Sequence, residues 1–248
     1  MRAEAAELLR KGRQARSFVI TEEHLAGLPG AVQRYLRGVG VAGQEAVRTL
    51  RLKQKGFFRT KPGGKWLPMT AEQYFATSPP AFLWYGRVQA LPLFSISAVD
   101  SFLDSHGKML VKFLSLIRVV DASGPEVDQG ALLRYLAEII WFPTAWLSGC
   151  IQWESTDAHS AKATLRHAGL TVSAVLHFNE DGLLDQVTAE RYWVENGKFA
   201  LRHWSGRVED YREVGGMRIP MKVEVLWHLD TGDFSYFRAE ITEIEYNL

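Results

Sequence analysis

The chain cannot build a disulfide within itself, because its 248 residues include a single cysteine, Cys150. That excludes a cysteine-stapled scaffold and a cysteine-rich metal site, and it suits a reducing compartment. Charge of one sign is also lacking. Lysine and arginine number 29 against 28 aspartates and glutamates, a formal net charge of +1. No global field therefore draws the chain to nucleic acid or to a membrane surface. No run approaches the roughly 20 consecutive apolar residues of a membrane helix. Met1 to Arg16 mixes Arg2, Arg10, Lys11, Arg13 and Arg16 with Glu4 and Glu7, without the apolar core and small-residue cleavage site of a secretory signal. The location expected from these absences is cytoplasmic, and no nucleic-acid partner or integral membrane segment is expected. Nothing in the composition sets an oligomeric state.

Catalytic signatures are missing too. The chain has no G-x-S-x-G, no P-loop and no Cys-x-x-Cys. Its histidines show no metal-ligand spacing; Asp157-x-His159 is a close pair, but it sits in a turn. No metal and no cofactor are expected, and Cys150 reads as a small packed hydrophobe. Gly38-Val39-Gly40-Val41-Ala42-Gly43 spells G-x-G-x-x-G. A dinucleotide site needs a strand before this motif and a helix after it. Here the order is reversed, so the glycines read as a helix end and a turn.

What is present is a core-forming composition, 47% hydrophobic and 23% charged, ordinary for a globular chain. Residues 1–45 read as a helical segment packed on the main domain: Ala3 to Gln14, a short helix capped by Thr21, and Ala31 to Arg37. From Ala46 the period changes to two, with Leu50 and Leu52 alternating with Arg51, Lys53 and Lys55. Pro62-Gly63-Gly64, Ala168-Gly169, Asn179 to Gly182, Asn196-Gly197 and Thr231-Gly232 punctuate a succession of strands. Met109 to Val120 fits strand or helix. Turns this short force antiparallel pairing. Asp128 to Trp141 is apolar nearly all round and reads as a buried helix, ended by Pro143. An open sheet of about ten strands curls or splits. The expected fold is therefore α+β: over residues 46–248, a large curved antiparallel sheet forms a half-barrel wrapped on the 128–141 helix. One domain is expected overall.

Several residues sit where a bland core would not place them. Arg134 and Glu138 lie one turn apart in the apolar helix, with Trp141 on the same stripe. Asp100 shares the apolar register of Phe94, Ile96, Ala98 and Phe102. Burying a lone charge is costly. Two readings follow. Either these groups pair as an internal ion bridge between helix and sheet, or Glu138 and Asp100 face a cavity as acid or base with Arg134 as anion stabiliser. Trp141, Trp84, Tyr135, Phe102 and Arg191 are the candidate ligand-binding residues. Seven basic residues and no acid between Ala46 and Ala71 form a stripe, either a solvated hairpin face or a docking surface.

Further stretches carry a resemblance. Leu28-Pro29 to Arg34-Tyr35-Leu36, Gly56-Phe57-Phe58-Arg59, Trp66-Leu67-Pro68-Met69 and Ala71-Glu72-Gln73-Tyr74 belong to it. So do Arg134-Tyr135-Leu136-Ala137-Glu138 with Trp141-Phe142-Pro143-Thr144-Ala145, Arg218-Ile219-Pro220, and Tyr236-Phe237-Arg238 with Ile244-Glu245-Tyr246-Asn247. Together they resemble a bacterial domain-of-unknown-function family, the DUF6544/DUF6920-like group, which implies no catalytic residue. The inferred shape is also similar to the half-barrel of lipoprotein carriers, a likeness of fold alone. Those carriers are exported, whereas no export signal is read here. The expected function is binding of an apolar, lipid-like or polycyclic small molecule in a tryptophan-lined cavity between sheet and helix. The alternative is a cofactor-free isomerase, cyclase or lyase acting on an apolar metabolite with a carboxylate as acid or base.

Overall fold

The computed structural model describes residues 2–91, 94–113, 117–195 and 197–248. Thirteen strands form one antiparallel sheet. Its order is β6-β5-β4-β3-β2-β1-β13-β12-β11-β10-β9-β8-β7. The first half comprises β1 (Thr49–Phe58), β2 (Leu67–Thr77), β3 (Pro80–Leu91), β4 (Phe94–Leu103), β5 (His106–Phe113) and β6 (Ile117–Ala122). The second comprises β7 (Ile151–Ser155), β8 (Ser160–His167), β9 (Leu170–Phe178), β10 (Leu184–Glu195), β11 (Lys198–Val214), β12 (Met217–Leu229) and β13 (Gly232–Tyr246). Each half is a meander, as its short turns require. The first and last strands, β1 and β13, pair at the centre.

This order leaves β6 and β7, neighbours in the chain, at opposite edges of the sheet. The link between them contains α4 (Pro125–Glu138), which crosses the hollow. It packs against β4 and β5 on one side and against β9 and β10 on the other. Nine interstrand steps separate β5 from β9, about 43 Å at roughly 4.8 Å per step in a flat sheet. A helix is only about 10–12 Å across. The sheet must therefore curl to touch α4 from both sides. Near the rim Ser105 Oγ lies 3.1 Å from His167 Nε2, joining the β4–β5 turn to the end of β8. The curled antiparallel half-barrel expected from the periodicity is the architecture found.

Three details differ from expectation. Helix α4 begins at Pro125, three residues earlier than 128, because a proline in the first turn loses no hydrogen bond and its φ suits a helix. It gives way at Ile139 to a 3₁₀ turn, Ile139–Trp141, so Trp141 stands beyond the α-helix. Pro143 explains the change, because its ring would collide with the carbonyl four residues back. The strand count is thirteen rather than ten, partly because the ambiguous Met109–Val120 stretch contributes to β5 and β6. Its residues 114–116 lie outside the described residues, as does Asn196 of the expected Asn196-Gly197 turn.

Two elements fix α4 at its start. The Gly107 N–H donates to Asp128 Oδ1 at 2.7 Å. A Cβ at Gly107 would stand 2.5 Å from the Val127 carbonyl oxygen, so backbone meets backbone there. The N-terminal helices pack on other faces. α1 (Arg2–Gly12) buries Ala5 and Leu8 against Ala76, Ala81 and Leu83 on the convex side. α2 (Glu22–Leu25) follows Thr21, whose backbone N–H donates to His24 Nδ1 at 3.0 Å. α3 (Gly30–Gly38) enters the main core through Tyr35, stacked on Trp146 with ring centroids 4.6 Å apart. The G-x-G-x-x-G glycines form the turn after α3, with Gly40 and Gly43 at positive φ.

The basic stripe on β1 is neutralised by its neighbours. Arg51 meets Glu72, Glu243 and Glu245 at 2.6, 2.7 and 2.9 Å, Lys53 meets Glu243 at 2.7 Å, and Lys55 meets Glu240 at 3.2 Å. The acids come from β2 and β13, so a run of like charge in sequence becomes a mixed ladder in space. Each such exposed pair contributes at most about 1 kcal/mol.

The close approach at Gly107 yields a prediction. Gly107→Ala forces α4 away from β5 and should lower stability by about 1–3 kcal/mol, read as a lower urea midpoint at unchanged slope. A variant as stable as the parent would show that α4 is not seated there.

Candidate functional site

The concave face carries one connected polar network. Strand alternation points Gln54 of β1, Gln73 of β2, Trp84 of β3 and Asp100 of β4 into the hollow, and α4 lowers Arg134 and Glu138 onto them. Arg134 donates from one terminal nitrogen to Asp100 Oδ2 at 2.7 Å and from Nε to Glu138 Oε1 at 2.9 Å. Gln73 Nε2 donates to the other Glu138 oxygen at 2.7 Å, and Trp84 Nε1 donates to Gln54 Oε1 at 3.1 Å. Gln54 Nε2 reaches Gln73 Oε1 at 3.4 Å, linking the two arms. The guanidinium lies 5.0 Å from the Phe82 ring centroid and 5.3 Å from that of Trp84, within cation–π range.

Side-chain exposures in this triad are 9% for Asp100, 14% for Arg134 and 16% for Glu138. One cation thus serves two carboxylates away from water. Burial pushes the Glu138 carboxyl above its ordinary 4.5; Arg134 and Gln73 pull it back, and Asp100 adds to the rise. Burial also works against the charged guanidinium of Arg134, but the two carboxylates outweigh it and its pKa is raised.

The structure brings Asp100, Arg134 and Glu138 together with Trp84 beside them. Tyr135 and Trp141 pack against Phe75, at 6.3 and 6.4 Å between centroids, and Phe102 is wholly buried beside His167. These are core positions. The tryptophan-lined hollow expected from sequence is filled at this place, because Trp84, Trp141 and Trp146 are themselves the filling.

Open space lies elsewhere. β9 and β10 pair only from Phe178 and Leu184 to Val175 and Thr188. Beyond that the strands part: Leu170–Ala174 stays paired with β8, and Ala189–Glu195 with β11. The gap is a cleft of about 430 Å³, floored by Gly130 and Leu133 of α4. Val172, Ala174 and Ala189 give it apolar walls, and Ser173, Thr188 and Arg191 give it polar ones. Of the residues singled out from sequence, Arg191 lines it; Asp100, Arg134, Glu138, Trp84, Tyr135, Phe102 and Trp141 do not.

The periodicity misses a second row on the convex face. Ser205 Oγ lies 2.8 Å from His228 Nε2, His228 Nδ1 lies 2.7 Å from Asp233, and His203 Nδ1 lies 2.8 Å from Glu190. Ser205, His228 and Asp233 follow the order of a hydrolytic triad. Ser205, however, has no exposed surface, so its hydroxyl is not presented to a substrate. No sequence signal marks this row or the cleft, since both arise from cross-strand register. No group of three or more metal-ligating side chains occurs among the described residues. No helix among them is long and apolar enough to cross a membrane.

The triad sets two expected outcomes. Arg134→Met leaves two buried carboxylates uncompensated and should cost about 3–5 kcal/mol of stability. Glu138→Gln should be far milder, with a diagnostic pH dependence. A carboxyl raised in the folded state stabilises most below pH 4.5, and that contribution is lost as pH climbs through the raised value. The stability of Glu138→Gln relative to the parent should therefore improve from pH 4.5 to pH 8 in urea titrations. A relative stability that worsens over that range would place an ionised, salt-bridged Glu138 in the fold.

Comparison with known proteins gives a family and a set of distant folds. The model of DUF6544, a family of unknown function, matches residues 18–239. No curated protein matches. Among solved structures, a putative outer membrane lipoprotein-sorting protein domain from Vibrio parahaemolyticus is 8% identical, with 98% of this chain and 93% of that chain covered and a TM-score of 0.43. A LolA superfamily protein from Nitrosomonas europaea is 13% identical over 92% and 94%, with a TM-score of 0.41. A DUF1329 family protein from Desulfovibrio piger is 9% identical over 96% and 93%, with a TM-score of 0.40. At this distance they inform neither ligand nor chemistry.

Proposed function

The chain belongs to the DUF6544 family, which supplies no activity to inherit, and from its own geometry we propose that it binds a small, largely apolar molecule in the cleft between β9, β10 and α4. The observation that carries this reading is the parting of β9 from β10 above Gly130 and Leu133. A volume of about 430 Å³ falls within the roughly 300–1,000 Å³ of small-molecule sites, which are mostly apolar with a few placed polar groups. Leu133, Val172, Ala174 and Ala189 fit the first requirement, and Ser173, Thr188 and Arg191 the second. The cleft lies between curved sheet and helix, where a ligand was expected, but no indole lines it; its apolar walls are aliphatic, and Lys162, Glu190, Tyr192 and His203 stand beside its hydroxyl groups and Arg191.

The enzymatic alternative finds less support. Its acid–base candidates, Asp100 and Glu138, are occupied by Arg134 and Gln73, and neither lines the cleft. A general base must reach the proton it removes.

Gly130 offers a clean test. A Cβ there meets only Arg191 Nε, at 3.8 Å, an ordinary contact, and replacing a glycine inside a helix gains about 0.5–1 kcal/mol. Gly130→Ala should therefore be at least as stable as the parent. Gly130→Leu should keep that stability while filling the cleft floor. The neutral probe N-phenyl-1-naphthylamine should bind the parent saturably and Gly130→Leu at least about tenfold more weakly. Equal binding by a well-folded Gly130→Leu would put the probe somewhere else and sink the proposal.

A further inference from the structure

The charged groups around the cleft are unevenly matched. Glu190 and His203 both reach its wall, but they engage each other at 2.8 Å. Lys162 lies 3.6 Å from Glu154 on the exposed side. Arg191 differs. Among the described residues it has no carboxylate partner; one terminal nitrogen donates to the Gly130 carbonyl at 3.4 Å, and the guanidinium faces the Trp204 and Trp227 rings at 5.6 and 5.9 Å. A guanidinium carries five donors, so one long hydrogen bond leaves most of them without a protein acceptor among the described residues, in a side chain that lines the cleft.

A second observation points the same way. Arg191 stands directly opposite Arg202 in the β10–β11 ladder, and Glu195 opposite Lys198. Alternation puts all four on one face. Like charges facing each other across strands are unfavourable. Glu195 is the one carboxylate of the four, and it is taken by Arg202 at 2.6 Å. This hairpin face therefore carries three cations to one anion; with Glu195 held by Arg202, Lys198 and Arg191 have no carboxylate partner among the described residues, and of these two Arg191 lines the cleft.

Resting on the reading of the cleft as a ligand site, we infer that its ligand is an amphiphile with an anionic oxygen head group, carboxylate or phosphate, held by Arg191. The planar fork of the guanidinium matches two oxygens of such a head at once. The tryptophan faces hold the fork in place while leaving its edge free. The apolar tail runs over Leu133, Val172, Ala174 and Ala189. An anion here also offsets the Arg191–Arg202 opposition, so head-group binding and relief of cross-strand repulsion are one event.

The test uses the full chain and displacement of N-phenyl-1-naphthylamine by decanoate, decyl phosphate, decanol and inorganic phosphate. Decanoate and decyl phosphate should displace the probe at concentrations about tenfold or more below decanol, the range expected for a charge-assisted pair. Inorganic phosphate should not displace it. Arg191→Gln should bring decanoate and decanol to within about twofold of each other with decanol unchanged, and Arg191→Lys should fall between. Equal displacement by decanoate and decanol in the parent overturns the head-group assignment while the cleft reading stands. Failure of the probe to bind at all removes the cleft reading itself. A decanoate preference that survives Arg191→Gln assigns the head group to another cation and overturns the inference. Should Arg191→Gln fail to fold, the parent's ratio and the Arg191→Lys variant decide the question.

Discussion

Everything in this fold follows from one connection. β6 and β7 are successive in the chain but lie at opposite edges of a thirteen-stranded sheet, and the segment between them has to cross the hollow. A helix is the economical way across, because it satisfies its own backbone groups while shedding water. It can do so only if most of its surface is apolar and its buried polar groups are paired, which is why α4 buries Ala131, Leu132, Leu133, Tyr135, Leu136 and Ala137 and matches Arg134 with Glu138 and Asp100. The crossing also dictates curvature, since the sheet bends until both its halves reach the same helix.

Seating that helix requires polar contacts of defined geometry. Asp128 accepts the Gly107 N–H at one end, and Arg134 reaches Asp100 further along. Hydrophobic burial is non-directional, so it would tolerate a helix slid or rotated by a few ångströms. The Gln54–Gln73–Glu138–Arg134–Asp100 chain does not, because each buried donor that lost its acceptor would forfeit about 1–3 kcal/mol. The second acid of the triad, Glu138, is held by Arg134 Nε and Gln73 Nε2, and burial pushes its carboxyl above the ordinary 4.5. The network is thus a register device spanning four strands and the helix.

The cleft is the counterpart of that tight seating. Where α4 is pinned to β4 and β5, the opposite wall has to adapt, and it does so at the β9–β10 seam, whose pairing ends after a few residues and includes a register shift between Leu184 and Gln186. Two strand edges that would ordinarily close on each other are held apart over the helix. Around the proposed ligand site, small residues such as Gly130, Ala174 and Ala189 leave volume, and Arg191 supplies the unmatched charge. Specific side chains matter here through what they leave unfilled and unpaired.

The sequence by itself determined the antiparallel meander, the buried helix and the curl. Those rest on periodicity, turn chemistry and the rule that apolar stripes must be covered, all of which are local. It also marked Asp100, Arg134 and Glu138, because a charge in an apolar register is visible in one dimension. Tertiary structure alone decided that the three meet one another and Gln73, that Trp84, Tyr135, Phe102 and Trp141 fill the core, and that Arg51, Lys53 and Lys55 find acids on β2 and β13. It alone opened the space beside Arg191 and set Arg202 across from it. The reason is physical: alternation says which face a side chain takes, whereas partners and voids depend on strand register and on where a crossing helix wedges the sheet apart, and both are fixed by contacts between residues far apart in the chain.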